Sequence, residues 1–543
     1  MSGGFERLVE RYLRTVVDDH PVAATYLGFH ERDGELGDFS AEALLEKNRH
    51  LKDVLADLEK LAPGLRGDEA QVDAEALRAS LRRSVFEYEV LRTHELNPIG
   101  YIGTALSGCN ELIVGGFAPL PDRARSLVGR LRGIREVVGS LERNVARPPA
   151  VFASIGTDIA RGGLAFVKSV LPSVAAQVPE LAADLEEAGA SAGEAFQRAE
   201  RLLGELAESS REPFHVGRER YEWLLREYHM LEMDSGELRE TGREALAETA
   251  RRMAEVSAEV DAAREWREVV EKLKADHPPA SGLRERYAAE MARARDFVRE
   301  RGLVSIPDGE ELEVIDTPVF LRKLLPYAAY HPAGPFEKRQ RGLFYVTPVD
   351  RSASPEQQEK QLRGHSTHTI PIIALHEAYP GHHLQLVRAN LQPRLARKLV
   401  HNTVFIEGWA LYCEEMMKEV GFYADPLTRL GQLRETLWRA ARVVVDVGLQ
   451  LGEMSVAEAV EFMVSEVGLE RVNATAEVRR YTANPTQPSS YLVGKLAIQD
   501  IRRRYEERAG AAFDLRTFHD ELLDLGSIQP ALAERALGLR AEG

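Results

Sequence analysis

The residues most able to do chemistry lie in one short stretch, residues 376–385, which reads HEAYPGHHLQ. Neutral imidazoles bind zinc, and a nearby carboxylate can take a proton from a metal-activated water molecule. The familiar motif H-E-x-x-H places two histidines one helical turn apart, with the glutamate as general base. His376 and Glu377 begin that motif, but Pro380 stands where its second histidine belongs. We therefore predict His376 as a zinc ligand and Glu377 as the general base, with a second ligand further along.

The second ligand is either His382 or His383. On a regular helix, with about 100° of rotation per residue, His383 shares the face of His376 and His382 points away. Their separation along the helix axis, however, would be roughly 10 Å, which is a long reach for two ligands of one zinc ion. Pro380 cannot continue a regular helix and Gly381 allows unusual dihedral angles, so a bulge could return His382 to the neighbourhood of His376. We favour His382 and keep His383 as the alternative.

A third protein ligand is needed, because catalytic zinc commonly takes three side chains and leaves one position for water. Glu407 lies in the apolar stretch VFIEGWALY, where burial of a carboxylate is costly unless it is paired or bound to metal. We predict Glu407 as the third ligand, and a buried ion pair as the alternative. Glu414 and Glu415 follow where the helix becomes polar, and they are interpreted as solvated acids.

Further candidates surround a Pro-rich loop at residues 481–495. Loops that open a helix often carry function, and Tyr491 is our candidate for a hydroxyl that stabilises a tetrahedral intermediate. Tyr481 is a weaker candidate for substrate binding. Asp446 stands alone in an apolar helical stretch, where it could orient a ligand histidine from behind or pair with Arg442.

The elements that must position these residues are mostly amphipathic helices. Apolar residues recur at helical spacing in many segments, and the clearest are 5–18, 41–62, 69–95, 122–145, 184–208 and 236–275. Residues 303–350 differ, since short β-type runs there predict a small sheet, and Gly342–Val346 could be an edge strand that pairs with a peptide. We predict a mainly α fold with a deep cleft, made of a helical part (1–280) and a catalytic part (281–543) in one continuous body.

Composition excludes several classes of protein. The net charge of −16 argues against nucleic acid as a partner. The N-terminal residues lack the apolar core of a signal peptide, and no run approaches the length of a membrane span. Two distant cysteines, Cys109 and Cys413, suit a reducing compartment. We therefore predict a cytoplasmic protein without membrane or nucleic-acid partners, and its oligomeric state stays open.

With HEAYPGHHLQ, the later EGWALY and the Tyr491 loop, the sequence resembles the bacterial family called domain of unknown function 885 over most of its length. That family is placed with the gluzincin metallopeptidases. More distantly the chain is similar to the thimet-oligopeptidase group, in which two histidines and a downstream glutamate bind zinc. There the second histidine follows a glycine, as His382 follows Gly381, and the glutamate lies about 25 residues beyond, as Glu407 does. The resemblance implies one zinc ion per chain and supports His382 over His383.

The sequence therefore predicts a zinc-dependent hydrolase, in first place a peptidase that cleaves short peptides with Glu377 as general base. A zinc amidohydrolase acting on a non-peptide amide would need the same residues. A catalytically silent protein that only binds peptides is the third alternative, and the intact His376-Glu377 pair argues against it.

Overall fold

Most regular structure in the chain is α-helical, with one small sheet, as the sequence predicts. The computed structural model describes residues 2–318, 322 and 327–539. These residues form two units, one made of 1–216 with 334–338 and the other of 217–333 with 339–543. The predicted boundary near residue 280 differs from this division, which begins the second unit at Gly217.

The first unit contains ten α-helices in its described residues. They are α1 (Ser2–Asp19), α2 (Pro21–Leu27), α3 (Ala41–Leu61), α4 (Asp68–Glu89), α5 (Thr93–Leu96), α6 (Ile99–Val114), α7 (Leu120–Asn144), α8 (Ala150–Ser169), α9 (Leu171–Ala175) and α10 (Ala182–Ser209). By length and composition the stretch Ala150–Ala175 could cross a membrane, with a mean hydropathy of 1.3. In the structure, α8 packs against α6 and α10 of the same unit. The expectation that the protein has no membrane partner stays a prediction.

The second unit contains the remaining helices and the sheet. Before the sheet lie α11 (Arg218–Trp223), α12 (Ser235–Asp261), α13 (Trp266–Ala275) and α14 (Leu283–Arg301), and directly after it lies α15 (Pro355–Leu362). After it come α16 (Ile370–Glu377), α17 (His382–Leu391), α18 (Leu395–Lys398), α19 (Thr403–Glu419), α20 (Pro426–Gln450), α21 (Val456–Val467), α22 (Arg471–Thr482), α23 (Gln487–Ala509), α24 (Leu515–Leu523) and α25 (Pro530–Ala536).

Residues 217–280 belong to the second unit because their apolar side chains complete its core. One cluster joins α12 and α13 to α20, and its buried members are Met253, Trp266, Val269, Val270, Leu273, Leu430, Leu433 and Leu437. The start of α12 is fixed locally by Asp234 and Glu237, each of which accepts a hydrogen bond from the other's backbone N–H. The segment that the sequence assigns to a helical N-terminal part therefore packs directly against α20.

In its described residues, the predicted sheet near residues 303–350 has three strands, β1 (Glu311–Asp316), β2 (Ala328–His331) and β3 (Arg341–Val346). Strand β3 lies in the centre, parallel to β1 and antiparallel to β2. Because both edges of β3 are paired, Gly342–Val346 is not an edge strand available to a peptide, and the alternative of a purely structural strand holds. Residues 319–321 and 323–326 of the predicted sheet region lie outside the described residues.

Candidate metal centre

The stretch HEAYPGHHLQ forms a turn between two helices, at the place where the sequence predicts a bulge. Helix α16 ends at Glu377 and α17 begins at His382. Between them Pro380 lacks the N–H that a helix needs, and the Gly381 N–H bonds to the carbonyl of Leu375 six residues earlier, so two residues are looped out as the bulge requires. The turn brings the rings of His376 and His382 together, with their centroids 4.8 Å apart.

Gly381 is essential to this turn for steric reasons. A Cβ atom at Gly381 would lie 1.9 Å from the carbonyl oxygen of His376, a distance that no side chain can accept. The turn is also tied to the next functional helix, since the Trp409 indole N–H donates a 2.8 Å hydrogen bond to the carbonyl of Pro380. Helix α19, which carries Glu407, is thereby held against the turn.

His376, His382 and Glu407 converge. One nitrogen or oxygen from each lies within 4.8 Å of the other two, the one such group of potential metal ligands in the part of the chain that the structure describes. The distance from His382 Nε2 to Glu407 Oε2 is 3.2 Å. Donors bound to one tetrahedral zinc ion lie about 3.3 Å apart, so this spacing suits a shared ion.

The charges of this cluster favour an ionised carboxylate. Burial alone would disfavour the charge, but the hydrogen bond with His382 and the histidine charges outweigh it and lower the pKa of Glu407 to about 2. Burial likewise opposes protonation of His382, yet the bond to Glu407 and the charges of Glu407 and Glu377 raise the pKa of His382. A cation between the two groups would therefore be favoured.

Glu414 is buried against His376, so its interpretation as a solvated acid is wrong. Its carboxylate is almost fully buried, and it accepts a 2.8 Å hydrogen bond from His376 Nδ1. A carboxylate in this position fixes the ring and leaves Nε2 for a metal. The available signal was spacing, because a residue two helical turns after Glu407 returns to almost the same face. Glu415 is not solvated either, since it pairs with Arg429 and Arg252.

Glu377 is positioned beside the cluster. It is the last residue of α16 and its side chain is half-buried. Its negative charge helps to raise the pKa of His382. Burial raises the pKa values of Tyr287 and Tyr330, and the charge of Glu377 raises them further. Glu377 therefore lies close enough to the candidate ligands for its charge to act on His382.

Tyr491 approaches Glu407 from a different helix. Its hydroxyl helps to lower the pKa of Glu407, against burial and after the larger effects of the two histidines, and Gln487 donates a 3.4 Å bond to that hydroxyl. The approach depends on two glycines where α19 crosses α23, since a Cβ on Gly408 would lie 2.3 Å from the Gly494 backbone. The predicted hydroxyl donor therefore lies near the candidate metal ligands.

His383, the alternative ligand, points away from this cluster. Its Nε2 donates a 2.7 Å hydrogen bond to Glu310, and its Nδ1 accepts a 3.0 Å bond from the hydroxyl of Tyr330. With both ring nitrogens used, His383 has no free atom for a metal. Glu310 also accepts from Tyr379 and pairs with Arg295, so this network holds the turn from its far side.

Asp446 and Tyr481 also differ from their predicted roles. Asp446 neither orients a ligand histidine nor pairs with Arg442, because its Oδ2 accepts hydrogen bonds from Ser489 and Tyr221. It therefore fixes the start of the helix that carries Tyr491. Tyr481 is fully buried, and its hydroxyl lies between Arg442 and Glu477, so it supports the site from behind instead of facing a substrate.

The donor set fits zinc. Two imidazoles and one carboxylate are a common catalytic ligand set, and the Glu414 hydrogen bond supplies the outer support that ligand histidines usually have. His382 Nδ1 is buried without a hydrogen-bond partner among the described residues, so the orientation of that ring is fixed by packing and by Glu407 alone.

Comparison with known proteins gives a family and a fold. The family whose members are described as "Bacterial protein of unknown function (DUF885)" matches residues 21–537. No curated protein matches the chain. A protein of unknown function from Shewanella oneidensis, described as a putative lipoprotein, has a similar structure, with a TM-score of 0.78, 23% identity and coverage of 98% of this chain and 99% of that one. A second protein so described, from Colwellia psychrerythraea, has a TM-score of 0.82 at 19% identity, with 98% of each chain covered.

Proposed function

The chain belongs to the DUF885 family of bacterial proteins, and from that premise we propose that it is a zinc-dependent hydrolase, in first place a peptidase of short peptides. One observation carries the proposal, namely the convergence of His376, His382 and Glu407 with Glu377 beside them. Distant likeness to the thimet-oligopeptidase group adds support at the level of the motif.

The proposed division of labour follows from the positions of the side chains. His376, His382 and Glu407 would hold one zinc ion, which when bound would polarise water and the scissile carbonyl. Glu377 would accept the proton of the attacking water and later deliver it to the leaving amine. The Tyr491 hydroxyl would donate a hydrogen bond to the developing oxyanion. Glu414 would hold His376 in orientation throughout.

The test combines metal analysis with a peptide library. We expect about one zinc ion per chain, and we expect Glu377→Gln to keep that zinc while its rate of peptide hydrolysis falls at least about 100-fold, since a general base contributes that much. Glu419→Gln, an exposed acid on the helix that carries Glu407, serves as the matched control and should keep full activity. Cleavage products are mapped by mass spectrometry.

Two results would point elsewhere. Zinc-loaded protein that cleaves no peptide but removes compounds from a metabolite extract would favour an amidohydrolase acting on a non-peptide amide. Tight peptide binding without turnover would favour a silent binding protein. The cytoplasmic location stays a prediction, and the description of both structural neighbours as lipoproteins bears on those proteins alone.

A further inference from the structure

Four arginines, three on α20 and one on α22, gather near the candidate metal centre. Arg434 and Arg439 pair with Glu435 of the same helix, α20. Behind them, Glu477 pairs with both Arg442 and Arg480. Within this group of six side chains, four cations share two carboxylates.

This charge lies next to the catalytic candidates. The guanidinium carbon of Arg439 is 5.8 Å from the centre of the Tyr491 ring. Tyr491 lies on α23, whose backbone at Gly494 touches the helix that carries Glu407 at Gly408. Arg439 is therefore close enough to the metal ligands to contact a substrate whose scissile amide lies at the metal.

The arginines carry unused hydrogen-bonding capacity. Among the described residues, Arg434 Nε, Arg439 Nε and Arg442 Nη1 are buried without a hydrogen-bond partner. Buried donors without partners are costly. The Arg442 guanidinium stacks on Tyr491 at 4.6 Å and on Trp438 at 4.7 Å, so it braces the region from inside. Arg434, Trp438 and Arg439 form the half-buried outer surface, which we call the arginine face.

We propose that the arginine face binds a carboxylate of the substrate. A guanidinium matches a carboxylate with two parallel hydrogen bonds, and Trp438 offers a flat apolar surface beside it. An extended residue spans about 3.3–3.6 Å, so the carboxylate would lie within a residue or two of the scissile amide. This inference rests on the proposed function and narrows its substrates to peptides cut near a free C-terminus or beside an acidic side chain.

The first experiment measures binding without turnover. The probe is benzylsuccinate, which offers one carboxylate to the metal and a second to the arginine face, and the comparison is its monoamide at the distal carboxylate. Calorimetry is carried out with and without added Zn²⁺, so that the contribution of the arginine face is measured even if no metal binds. We expect the diacid to bind roughly 10- to 100-fold more tightly than the monoamide.

Variants assign that preference to the arginine face. Arg439→Gln should reduce the preference to about two-fold or less with unchanged zinc content, while Arg503→Gln, an exposed arginine on α23, should retain it. Equal affinity of wild-type protein for diacid and monoamide would overturn the proposal. A preference for the diacid in a protein that cleaves no peptide would leave the carboxylate site standing and refute the peptidase assignment.

The source of the carboxylate is resolved by turnover. Library peptides with a free C-terminus are compared with the same peptides amidated at the C-terminus, with and without an internal Asp or Glu. A rate lost on amidation alone identifies the α-carboxylate, and a rate that follows the internal acid identifies the side chain. Rates that are indifferent to both would refute substrate recognition by the arginine face.

Discussion

His376 can offer only one of its ring nitrogens to a metal, because the other donates to Glu414. That hydrogen bond determines both the tautomer and the direction in which Nε2 points. Since Glu414 is almost completely buried, its carboxylate has little freedom to adopt another arrangement. The affinity of the site for zinc should therefore depend on a residue that would never touch the ion.

We expect Glu414→Gln to weaken zinc binding by about 10- to 100-fold, which is typical when the partner of a ligand histidine is changed. The amide keeps the size of the side chain but replaces a charged acceptor by a neutral one. Zinc affinity is measured by competition with a chelator of known affinity. Glu419→Gln is the control, and native affinity in Glu414→Gln would show that the ring is oriented by packing alone.

At the residue scale, sequence predicted what depended on local chemistry and missed what depended on neighbours from elsewhere in the chain. The unusual acid in an apolar run, Glu407, could be identified because burial of a lone carboxylate demands a partner. Glu414 looked like an ordinary helix acid, although its spacing from Glu407 already placed both on one face. Glu310, which accepts a hydrogen bond from His383, lies too far away in sequence for any local pattern to connect the two.

The crossing of α19 and α23 is the element-level feature that joins Glu407 to Tyr491. At this crossing the two backbones touch, and a Cβ at Gly494 would lie 1.8 Å from the carbonyl oxygen of Val404. The opposing atoms belong to a helical backbone, so they cannot yield as a flexible side chain would. Small residues at Gly408 and Gly494 are therefore a structural requirement of the site.

We expect Gly494→Ala to destabilise the protein by about 1–3 kcal/mol, the usual range for overpacking, and to lower activity because Tyr491 moves with its helix. Gly204→Ala is the matched control, since it is also helical but would meet nothing within 4 Å. It should be neutral or stabilising by up to about 1 kcal/mol. Thermal unfolding gives both values, and equal stability of the two variants would contradict the close crossing.

At the element scale, periodicity predicted most helices but not every break between them. Residues 236–275 read as one helical stretch, yet α12 ends at Asp261 and α13 begins at Trp266. Trp266 is buried in the α12–α13–α20 cluster, so packing against α20 determines the bend. The central position of β3 was equally invisible, because the order of strands depends on pairing between segments far apart in sequence.

At the scale of the whole molecule, the division into two units follows from packing rather than from composition. Breakers near His277 suggested a boundary at 280, but the helices before them complete the core of the second unit. The short segment Gly334–Lys338, between β2 and β3, belongs to the first unit. Within that unit Glu337 accepts a hydrogen bond from His30, whose other ring nitrogen bonds Asp33.

Each unit contains a group that should make its stability depend on pH. Burial opposes charge on His30, but its bonds to Asp33 and Glu337 dominate and raise the pKa of His30 to about 9. In the second unit, burial raises the pKa of Asp446 from 3.8 to about 7, against the hydrogen bonds from Ser489 and Tyr221. Both folded units therefore bind a proton more tightly than the unfolded chain does.

Both groups stabilise the folded protein at low pH and lose this effect as the pH rises, but they do so over different pH ranges. The stabilisation from His30 is complete below its ordinary pKa of 6.5 and is lost as the pH rises to about 9. The stabilisation associated with protonated Asp446 is complete below pH 3.8 and is lost as the pH rises to about 7. The contribution of Asp446 to the stability of the second unit should thus fall as the pH rises from 4 to 7, and that of His30 to the first unit should fall from 6.5 to 9.

Amide hydrogen exchange between pH 5 and 9, corrected for the intrinsic pH dependence of the exchange rate, can follow the two units separately through peptides from residues 1–216 and 339–539. We expect His30→Gln to destabilise the first unit at pH 6 but much less at pH 9, because about half of the folded protein has lost the His30 charge there. Asp446→Asn should remove one component that falls with rising pH below pH 7, since an amide cannot ionise, so the profile of the variant should diverge from that of the wild type in this window. Parallel pH profiles for wild-type and variant proteins in these windows would show that neither group is linked to folding.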